Sequence, residues 1–394
     1  MLVFLMFFVG CFPSQERLVD KTPISTDASD ADADADTDAD ADADTDADTD
    51  SDTDADTDAD TDSDTNADAD TDTDVDTGTP CTNVFYLDLD SDGYGDPSSS
   101  ITDCTAPSAY VVPAGDCNDM DAAVYPGAPE LCDNQQNDCL TNWTSSNEEQ
   151  VVTLITSSGS SDVTGLFATA TASNPANLTM TSEGTVLFCD GTYYMNLTID
   201  TAGSYVISSL NGADQTILSG GSRGAIAELG GGAEVEISHL TLTEGTGVEV
   251  GNYAYGGAVY VYGADLLVSD AVFESNEAYN GGAIYADSGS LTISESQFIG
   301  NNATWGGAVL PNSDFDITDC YFYENTAHGG GALFVGGNGV LQSSNVELNE
   351  AEDRGAGIYV DWYANMVIDG SFIGLNGWES PDVSGGGIYS EGNL

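Results

Sequence analysis

The sequence predicts an all-β protein that consists mainly of a right-handed parallel β-helix, preceded by a small disulfide-stapled module and a disordered acidic linker. Three observations support this prediction. Short sequence elements recur about every 25 residues between positions 186 and 394, five cysteines lie between positions 81 and 139, and aspartate alternates with small residues between positions 30 and 76.

Residues 1–11 predict a signal peptide that ends at a lipidated cysteine. MLVFLMFFVG is apolar but too short to span a bilayer comfortably, and Cys11 follows it directly. Phe8-Val9-Gly10-Cys11 resembles a bacterial lipobox, in which the cysteine is acylated. We therefore expect export to the outer membrane or cell surface as a lipoprotein, with plain secretion as the alternative. The lipid anchor is the only membrane attachment that we expect.

Residues 12–79 predict a disordered linker. The Asp-Ala and Asp-Thr repeats contain no aromatic residue, so they have no apolar surface that could offset the entropy of ordering. Repulsion between the carboxylates should keep this segment extended. A solubilising spacer is the favoured role, and a stalk that loosely holds divalent cations is the alternative.

The net charge restricts the partners of the chain. There are 68 Asp plus Glu residues against four Lys plus Arg, which gives a formal net charge of -64. Such a chain repels polyanions, so nucleic acid and anionic membrane surfaces are excluded as partners. Cations are the natural ligands, and an unidentified surface protein or glycan is the expected macromolecular partner.

The stretch LDLDSDGYGD, within the predicted module of residues 80–140, has the spacing of a calcium loop. Its carboxylates at positions 1, 3, 5 and 9, its glycine at position 6 and its backbone carbonyl at position 7 come from Asp88, Asp90, Asp92, Asp96, Gly93 and Tyr94. Position 12 is Ser99 instead of Glu, so another carboxylate must complete the shell. The candidates are Asp116, Asp119 and Asp121. Hard oxygen ligands without a nearby histidine favour Ca²⁺ over copper or zinc.

This module resembles the MopE-like metal-binding motif family of bacterial surface proteins. The similarity covers Tyr86 to Cys139 and rests on YLDLDSDGYGD, Cys104 and GDCNDMDAAVYPGAPELCDNQQNDC. It implies the metal ligands named above. It also implies a third acidic cluster, in which Gln136 and Leu140-Thr141 depart from the family pattern; the acids of this cluster are Glu130, Asp133 and Asp138.

The resemblance also implies a set of disulfide-bonded cysteines. Its members are Cys104, Cys117, Cys132 and Cys139. Four cysteines allow three pairings. Pairing between neighbours is favoured, which would join Cys104 to Cys117 and Cys132 to Cys139. Cys189 and Cys320 are expected to be buried or unpaired thiols.

Residues 186–394 contain the repeat that predicts the β-helix, and residues 141–185 are expected to be a connector or cap. A complete unit has Phe-x-x-Asn followed by Gly-Gly-Ala and an aliphatic residue. Glycine-rich units with period-two runs such as SLTISESQF favour strands over a helix pair. Stacked coils, about 4.8 Å apart, place equivalent residues above one another. The expected interior column is Phe273, Phe298, Phe322, Val346 and Phe372, and the expected amide ladder is Asn276, Asn301, Asn325 and Asn349.

The paired FxxN and GGA[ILV] elements resemble the repeats of the chlamydial polymorphic outer-membrane proteins. Three complete copies lie within residues 250–390. The resemblance implies a surface β-helix that is used in adhesion. Since the sequence stops in mid-coil after GGGIYSEGNL, either a longer natural chain with further coils or a missing capping coil is expected.

An exposed aromatic stripe is expected along one side of the β-helix. Alternation within the strands places aromatic residues outward beside buried aliphatic ones, and such a stripe could contact a protein or a sugar. The alternative is that these rings only pack on each other along the sheet. The stripe consists of Tyr260, Tyr285, Phe334, Tyr359 and Tyr389.

No catalytic residue is predicted, and a non-enzymatic role is favoured. The alternative is a polysaccharide lyase or glycosidase on a pectin-lyase-like scaffold. Lyases that act on polyuronates commonly use Arg or Lys, and the β-helix has only Arg223 and Arg354. Paired carboxylates such as Asp314 and Asp316 could suit a glycosidase, but acids are too frequent in this chain for the pairing to be informative.

Overall fold

The computed structural model describes residues 81–141, 148–378 and 383–394. The predicted signal peptide, Cys11 and the linker of residues 12–79 lie outside the described residues. The cysteine-rich module begins with a small antiparallel sheet in which β1 lies between β2 and β3. These strands are β1 (Asn83–Leu87), β2 (Ser100–Asp103) and β3 (Tyr110–Val111).

The rest of the described chain forms a right-handed parallel β-helix, as predicted. Each coil passes through three faces in a fixed order, and strands of successive coils pair in parallel on each face. No helix among the described residues is long and apolar enough to cross a membrane. A short 3-10 helix lies at Thr164–Leu166.

The strands of the β-helix are divided among three faces. The first face contains β6 (Ala176–Met180), β11 (Ala227–Leu229), β16 (Val259–Tyr262), β19 (Ile284–Ser288), β22 (Val309–Pro311), β26 (Leu333–Val335), β30 (Ile358–Val360) and β33 (Ile388–Ser390). The second face contains β4 (Val152–Thr156), β5 (Gly159–Asp162), β7 (Gly184–Phe188), β9 (Gly203–Ser209), β12 (Ala233–Ser238), β17 (Asp265–Ser269), β20 (Ser290–Ser294), β23 (Asp314–Thr318), β27 (Asn338–Gln342) and β31 (Asn365–Asp369). The third face contains β10 (Thr216–Ser219), β13 (Thr241–Thr243), β18 (Val272–Glu274), β21 (Gln297–Ile299), β24 (Tyr321–Tyr323), β28 (Asn345–Glu347) and β32 (Phe372–Gly374).

Five further strands complete the fold. The long strand β8 (Gly191–Ile199) pairs with β10 on the third face and with β11 on the first. The turns between the third and first faces hold β14 (Val248–Val250), β15 (Tyr253–Tyr255), β25 (Thr326–Gly329) and β29 (Glu350–Arg354). The segment expected to be a connector or cap contributes strands to the β-helix, because β4 pairs antiparallel with β7 and β6 pairs in parallel with β8.

The core contains the predicted column of phenylalanines. Phe273, Phe298 and Phe322 are completely buried, and their ring centroids lie 4.9 and 4.8 Å apart in nearly parallel planes. These spacings equal the distance between neighbouring strands, so each ring packs on its equivalent in the next coil. Burying one such side chain contributes about 1.5–3 kcal/mol.

The predicted continuation of this column at Phe372 is wrong. Val346 pairs with Ile373, and Phe372 is 53% exposed. The last complete spacing is therefore Ile373-x-x-Asn376, in which an aliphatic residue replaces phenylalanine. Burial in the column is decided by strand register, and a one-residue shift turns a side chain to the opposite side of the strand.

The predicted asparagine ladder is present and continues for one more step, to Asn376. In each step an Asn Oδ1 accepts hydrogen bonds from the backbone N–H and the Nδ2 of the Asn in the preceding coil. Asn301 and Asn325 show this pattern, with distances of 2.9 and 3.0 Å. Each Nδ2 also donates to a backbone carbonyl of the preceding coil, so buried amides are fully satisfied.

The two glycines of each Gly-Gly-Ala element have different roles. Gly306 has a φ of +65°, a conformation that side chains other than glycine rarely adopt. Gly307 has an ordinary φ, but a Cβ atom there would lie 2.0 Å from the carbonyl oxygen of Gly331 in the next coil. The first glycine therefore permits the turn, and the second permits the close stacking of coils.

The disulfide pairing favoured by the sequence is wrong. The structure joins Cys81 to Cys104, Cys117 to Cys139, and Cys132 to Cys189. Cys189 is therefore not a thiol, whereas Cys320 is buried as expected. In each part of the module the chain folds back toward its first cysteine. The paired cysteines are therefore 22 or 23 residues apart, and the pairs of nearest neighbours in the sequence do not form. The third disulfide ties the module to the first coils of the β-helix.

Candidate metal centre

The loop that follows β1 is organised by its own aspartate side chains. Asp88 Oδ1 accepts a hydrogen bond from the Ser91 backbone N–H at 2.7 Å, and Asp92 Oδ1 accepts one from the Tyr94 N–H at 2.7 Å. Such bonds between an aspartate and a backbone N–H shortly after it close tight turns. Gly93 has a φ of +96°, a conformation that favours glycine at this turn. The carboxylates at alternate positions are thereby turned toward a common centre.

A second segment brings further carboxylates to this loop. Gly95 donates to the Pro113 carbonyl at 3.0 Å and accepts from the Gly115 N–H at 3.1 Å. A Cβ atom on Gly95 would lie 2.6 Å from the Tyr86 Cβ, so glycine is required where the backbone packs against β1. This pairing delivers Asp116 to the loop, and the Asp119 Oδ1 accepts from the Leu89 N–H at 3.0 Å.

Five carboxylates meet as two overlapping groups. Within each group, one ligand atom from each residue lies within 4.8 Å of the others. Asp90 belongs to both groups. The first group is Asp88, Asp90 and Asp119, and the second is Asp90, Asp92 and Asp116. The structure thus brings together five of the eight residues predicted as metal ligands.

The electrostatics of this cluster favour a bound cation. The Oδ2 atoms of Asp90, Asp92 and Asp116 are buried and have no hydrogen-bond partner. Burial raises the pKa of Asp92 and Asp116, and the charges of neighbouring aspartates raise it further. Residues 81–141 contain no Lys, Arg or His that could neutralise them. Buried carboxylate oxygens without a donor are costly, and a metal ion satisfies several at once.

Three of the predicted ligand residues lie outside both groups. The Asp96 carboxylate accepts hydrogen bonds from Ser98 and Ser99, which hold its pKa below the usual value. Asp121 accepts a hydrogen bond from the Gln135 side chain at 3.2 Å. Tyr94 is predicted to bind through its backbone carbonyl, which stays a prediction, and its ring stacks on Tyr125 with centroids 5.5 Å apart. These residues support the loop in this structure.

The third acidic cluster is used for internal hydrogen bonding. Glu130 accepts from the backbone N–H groups of Asn137 and Asp138, at 3.2 and 3.1 Å. Asp133 accepts from the Gln135 and Asn137 side chains, and Asp138 accepts from the Gly127 N–H at 2.6 Å. The structure does not bring these carboxylates to the five-carboxylate cluster.

One further buried acid near the module, Glu148, is not predicted from the sequence. Glu148 is 3% exposed, and its Oε2 lies 3.5 Å from the Cys189 sulfur. Because Cys132 and Cys189 form a disulfide, neither is a thiolate that could bind metal. No spacing in the sequence marks Glu148, since its neighbours come from distant segments.

The predicted aromatic stripe forms in register, but it is not an exposed surface throughout. Tyr260 lies opposite Tyr285, and Tyr359 lies between Phe334 and Tyr389. The expectation of exposure is wrong for Tyr285 and Tyr359, which are 6% exposed. Side chains from the turns between the third and first faces cover the stripe, as the rings of Tyr255 on Tyr285 and Trp305 on Phe334 show.

Comparison with known families supports both structured parts of the chain. Residues 116–139 match the family described as "Putative metal-binding motif", and residues 257–394 match the family described as "Right handed beta helix region". No curated protein and no solved structure is similar enough to count as a match. The two matches occur in the order predicted from the sequence.

Proposed function

We propose that this chain is an exported cell-surface protein whose cysteine-rich module binds Ca²⁺ and whose β-helix is a non-catalytic surface for adhesion or other contacts. The observation that carries the proposal is the convergence of five aspartates, three of which have a buried carboxylate oxygen without a hydrogen-bond donor. An acidic motif within a metal-binding family match and a separate β-helix fit a two-part protein of this kind.

The chemistry of the site favours calcium among the common metals. Its ligands are carboxylate oxygens, and the cysteines of residues 81–141 are all in disulfides. Copper and zinc prefer nitrogen or sulfur ligands, whereas Ca²⁺ takes six to eight oxygens in irregular geometry. Asp88, Asp90 and Asp119 would hold one ion, and Asp92 and Asp116 would hold a second together with the shared Asp90. When bound, calcium supplies the positive charge that these carboxylates need to lie together.

The surface location rests on the start of the chain and on its cysteines. The apolar segment before Cys11 fits a signal peptide with a lipid anchor, and the acidic linker fits a spacer between the anchor and the folded part. Disulfides persist in oxidising compartments, so the three in the described chain support export. Cell fractionation with metabolic labelling by a fatty acid tests the anchor, and a Cys11→Ser variant that still takes up label would contradict it.

Calorimetric titration of the full chain with Ca²⁺ tests the metal site. Asp116→Asn should weaken binding at least tenfold, because it removes a charged ligand that is 3% exposed. Asp369→Asn is the matched control, since it removes the same charge from an exposed position on β31. Work at about 0.15 M salt screens weak binding to the acidic linker. Equal affinities of the two variants, or much tighter binding of copper or zinc than of Ca²⁺, would contradict the proposal.

A further inference from the structure

The first face of the β-helix changes character near its N-terminal end. Tyr260 lies opposite Glu228, and Glu228 lies opposite Thr198 in the preceding coil. The outward positions therefore change from aromatic to polar at this point. A cleft of about 420 Å³ lies over the polar end, and the hairpin of β14 and β15 borders it through Val248 and Glu249.

The cleft is lined by polar groups of several kinds. It contains two side-chain amides, two hydroxyls, two carboxyl groups and a guanidinium, which belong to Asn177, Asn196, Thr198, Thr246, Glu228, Glu249 and Arg223. Amides both donate and accept hydrogen bonds, carboxylates accept, and the guanidinium donates. This mixture suits a ligand with many hydroxyl groups, because each hydroxyl can both donate and accept.

Aromatic rings continue the same face beside the cleft. The rings of Tyr260 and Tyr262 lie 5.3 Å apart, and both side chains are partly exposed. Flat aromatic faces next to hydrogen-bonding groups suit ligands that have an apolar side and a polar side. The C–H faces of a pyranose ring and its hydroxyl edge have this combination.

Glu228 has an environment that fits a hydroxyl-binding role. It is partly buried, and desolvation together with the charge of Asp200 raises its pKa. The oxygens of its carboxyl group can accept hydrogen bonds from the hydroxyl groups of a ligand. Asn196 is held in place by a hydrogen bond from its Nδ2 to the Ala225 carbonyl, so the floor of the cleft is preorganised.

We propose that this cleft binds a neutral saccharide, with sugar rings extending over Tyr260. Its volume lies within the range of about 300–1,000 Å³ that is usual for small-ligand sites. The acids of the cleft and the net charge of -64 oppose polyuronates and phosphorylated ligands. A wider cleft of about 960 Å³ near β4 and β7 has Glu183 as its only charged lining residue and offers less hydrogen-bonding variety. The inference names a ligand class for the contact role proposed above and rests on that role.

The residues of this cleft come from separate turns of the chain, so no motif in the sequence marks them. β6, β8, β11 and the hairpin of β14 and β15 each contribute to it. Parallel stacking brings the four segments to one side of the molecule. The cysteine-rich module does not contribute to the lining, so saccharide binding and calcium binding can be tested separately.

Calorimetry of the full chain with hexasaccharides of glucose, mannose and N-acetylglucosamine tests the inference, with polygalacturonate as the polyanionic probe. At least one neutral hexamer should bind, and Asn177→Ala and Glu249→Gln should each raise its Kd about five- to tenfold. Both residues are exposed, so neither change threatens the fold. Glu149→Gln, an exposed acid outside the cleft, is the matched control and should leave the Kd unchanged.

Three results would overturn the inference. They are no binding of any neutral hexamer, tighter binding of polygalacturonate than of the hexamers, and equal Kd values for the cleft variants and the Glu149→Gln control. A Ca²⁺ titration of the same samples separates the two proposals. If the full chain binds Ca²⁺ but no saccharide, only the saccharide site is rejected. If it binds a saccharide but no Ca²⁺, only the calcium site is rejected.

Discussion

Replacement of Asn301 by alanine should strongly destabilise the β-helix, because Asn301 occupies the middle of the asparagine ladder. Its Oδ1 accepts from the Asn276 N–H at 3.0 Å, and its Nδ2 donates to the Phe273 carbonyl at 2.9 Å. These two partners are backbone groups in a fully buried region, and the change also removes hydrogen bonds to the side chains of Asn276 and Asn325. Since an unsatisfied buried backbone group costs about 1–3 kcal/mol, the expected loss is roughly 2–6 kcal/mol.

Urea unfolding followed by circular dichroism measures this loss. The matched control is Asn302→Ala, which changes the neighbouring, exposed asparagine. The side chain of Asn302 accepts one hydrogen bond, from the Thr326 hydroxyl at 2.9 Å, so its removal should cost less than about 1 kcal/mol. If the two variants unfold within about 0.5 kcal/mol of each other, the ladder does not contribute as the hydrogen bonds indicate.

Three further outcomes are expected. Burial, followed by the hydrogen bond to Glu391, raises the pKa of Tyr359 to about 12. Because the unfolded tyrosine ionises near pH 10, the free energy of unfolding should fall between about pH 10 and 12. Tyrosinate absorbance measures the ionisation, and ionisation of Tyr359 near pH 10 would mean that its ring is solvated. Replacing Cys132 and Cys189 with serine should lower the unfolding free energy by about 2–5 kcal/mol but leave calcium binding, measured by calorimetry, unchanged. Loss of calcium binding would mean that the β-helix shapes the site. Gly307→Ala should prevent close stacking of coils and lower the melting temperature by several degrees. Gly165→Ala is the control, because a Cβ atom there would have no other atom within 4 Å, and it should leave the melting temperature unchanged. Equal melting temperatures of the two variants would contradict the packing argument.

The repeat was predictable because its interactions recur at a constant chain separation. Phe298 meets Phe273 and Phe322, its equivalents about 25 residues away, so the period alone identifies the column. The same reasoning fails at Phe372, where the interval from Val346 differs and the pairing of Val346 with Ile373 decides burial. A period identifies equivalent residues only while the coil length stays constant.

The outward side of the β-helix was less predictable than its interior. Alternation correctly placed the stripe residues in register, but it carried no information about what covers them. Tyr285 is buried under Tyr255, which belongs to a turn and not to the strand pattern. The cleft near Glu228 was invisible for the same reason, since loops and distant strands assemble it.

The sequence by itself determined the repeat, the buried aliphatic positions, the asparagine ladder and the spacing of the aspartates in the loop after β1, because each depends on residues at short or constant intervals. Only the tertiary structure decided which acids complete the loop and which cysteines pair. Asp116 and Asp119 join the cluster, whereas Asp121 does not, although all three lie in one short acidic run. Such choices depend on the path by which the chain returns, as the pairing of Gly95 with the segment before Asp116 shows.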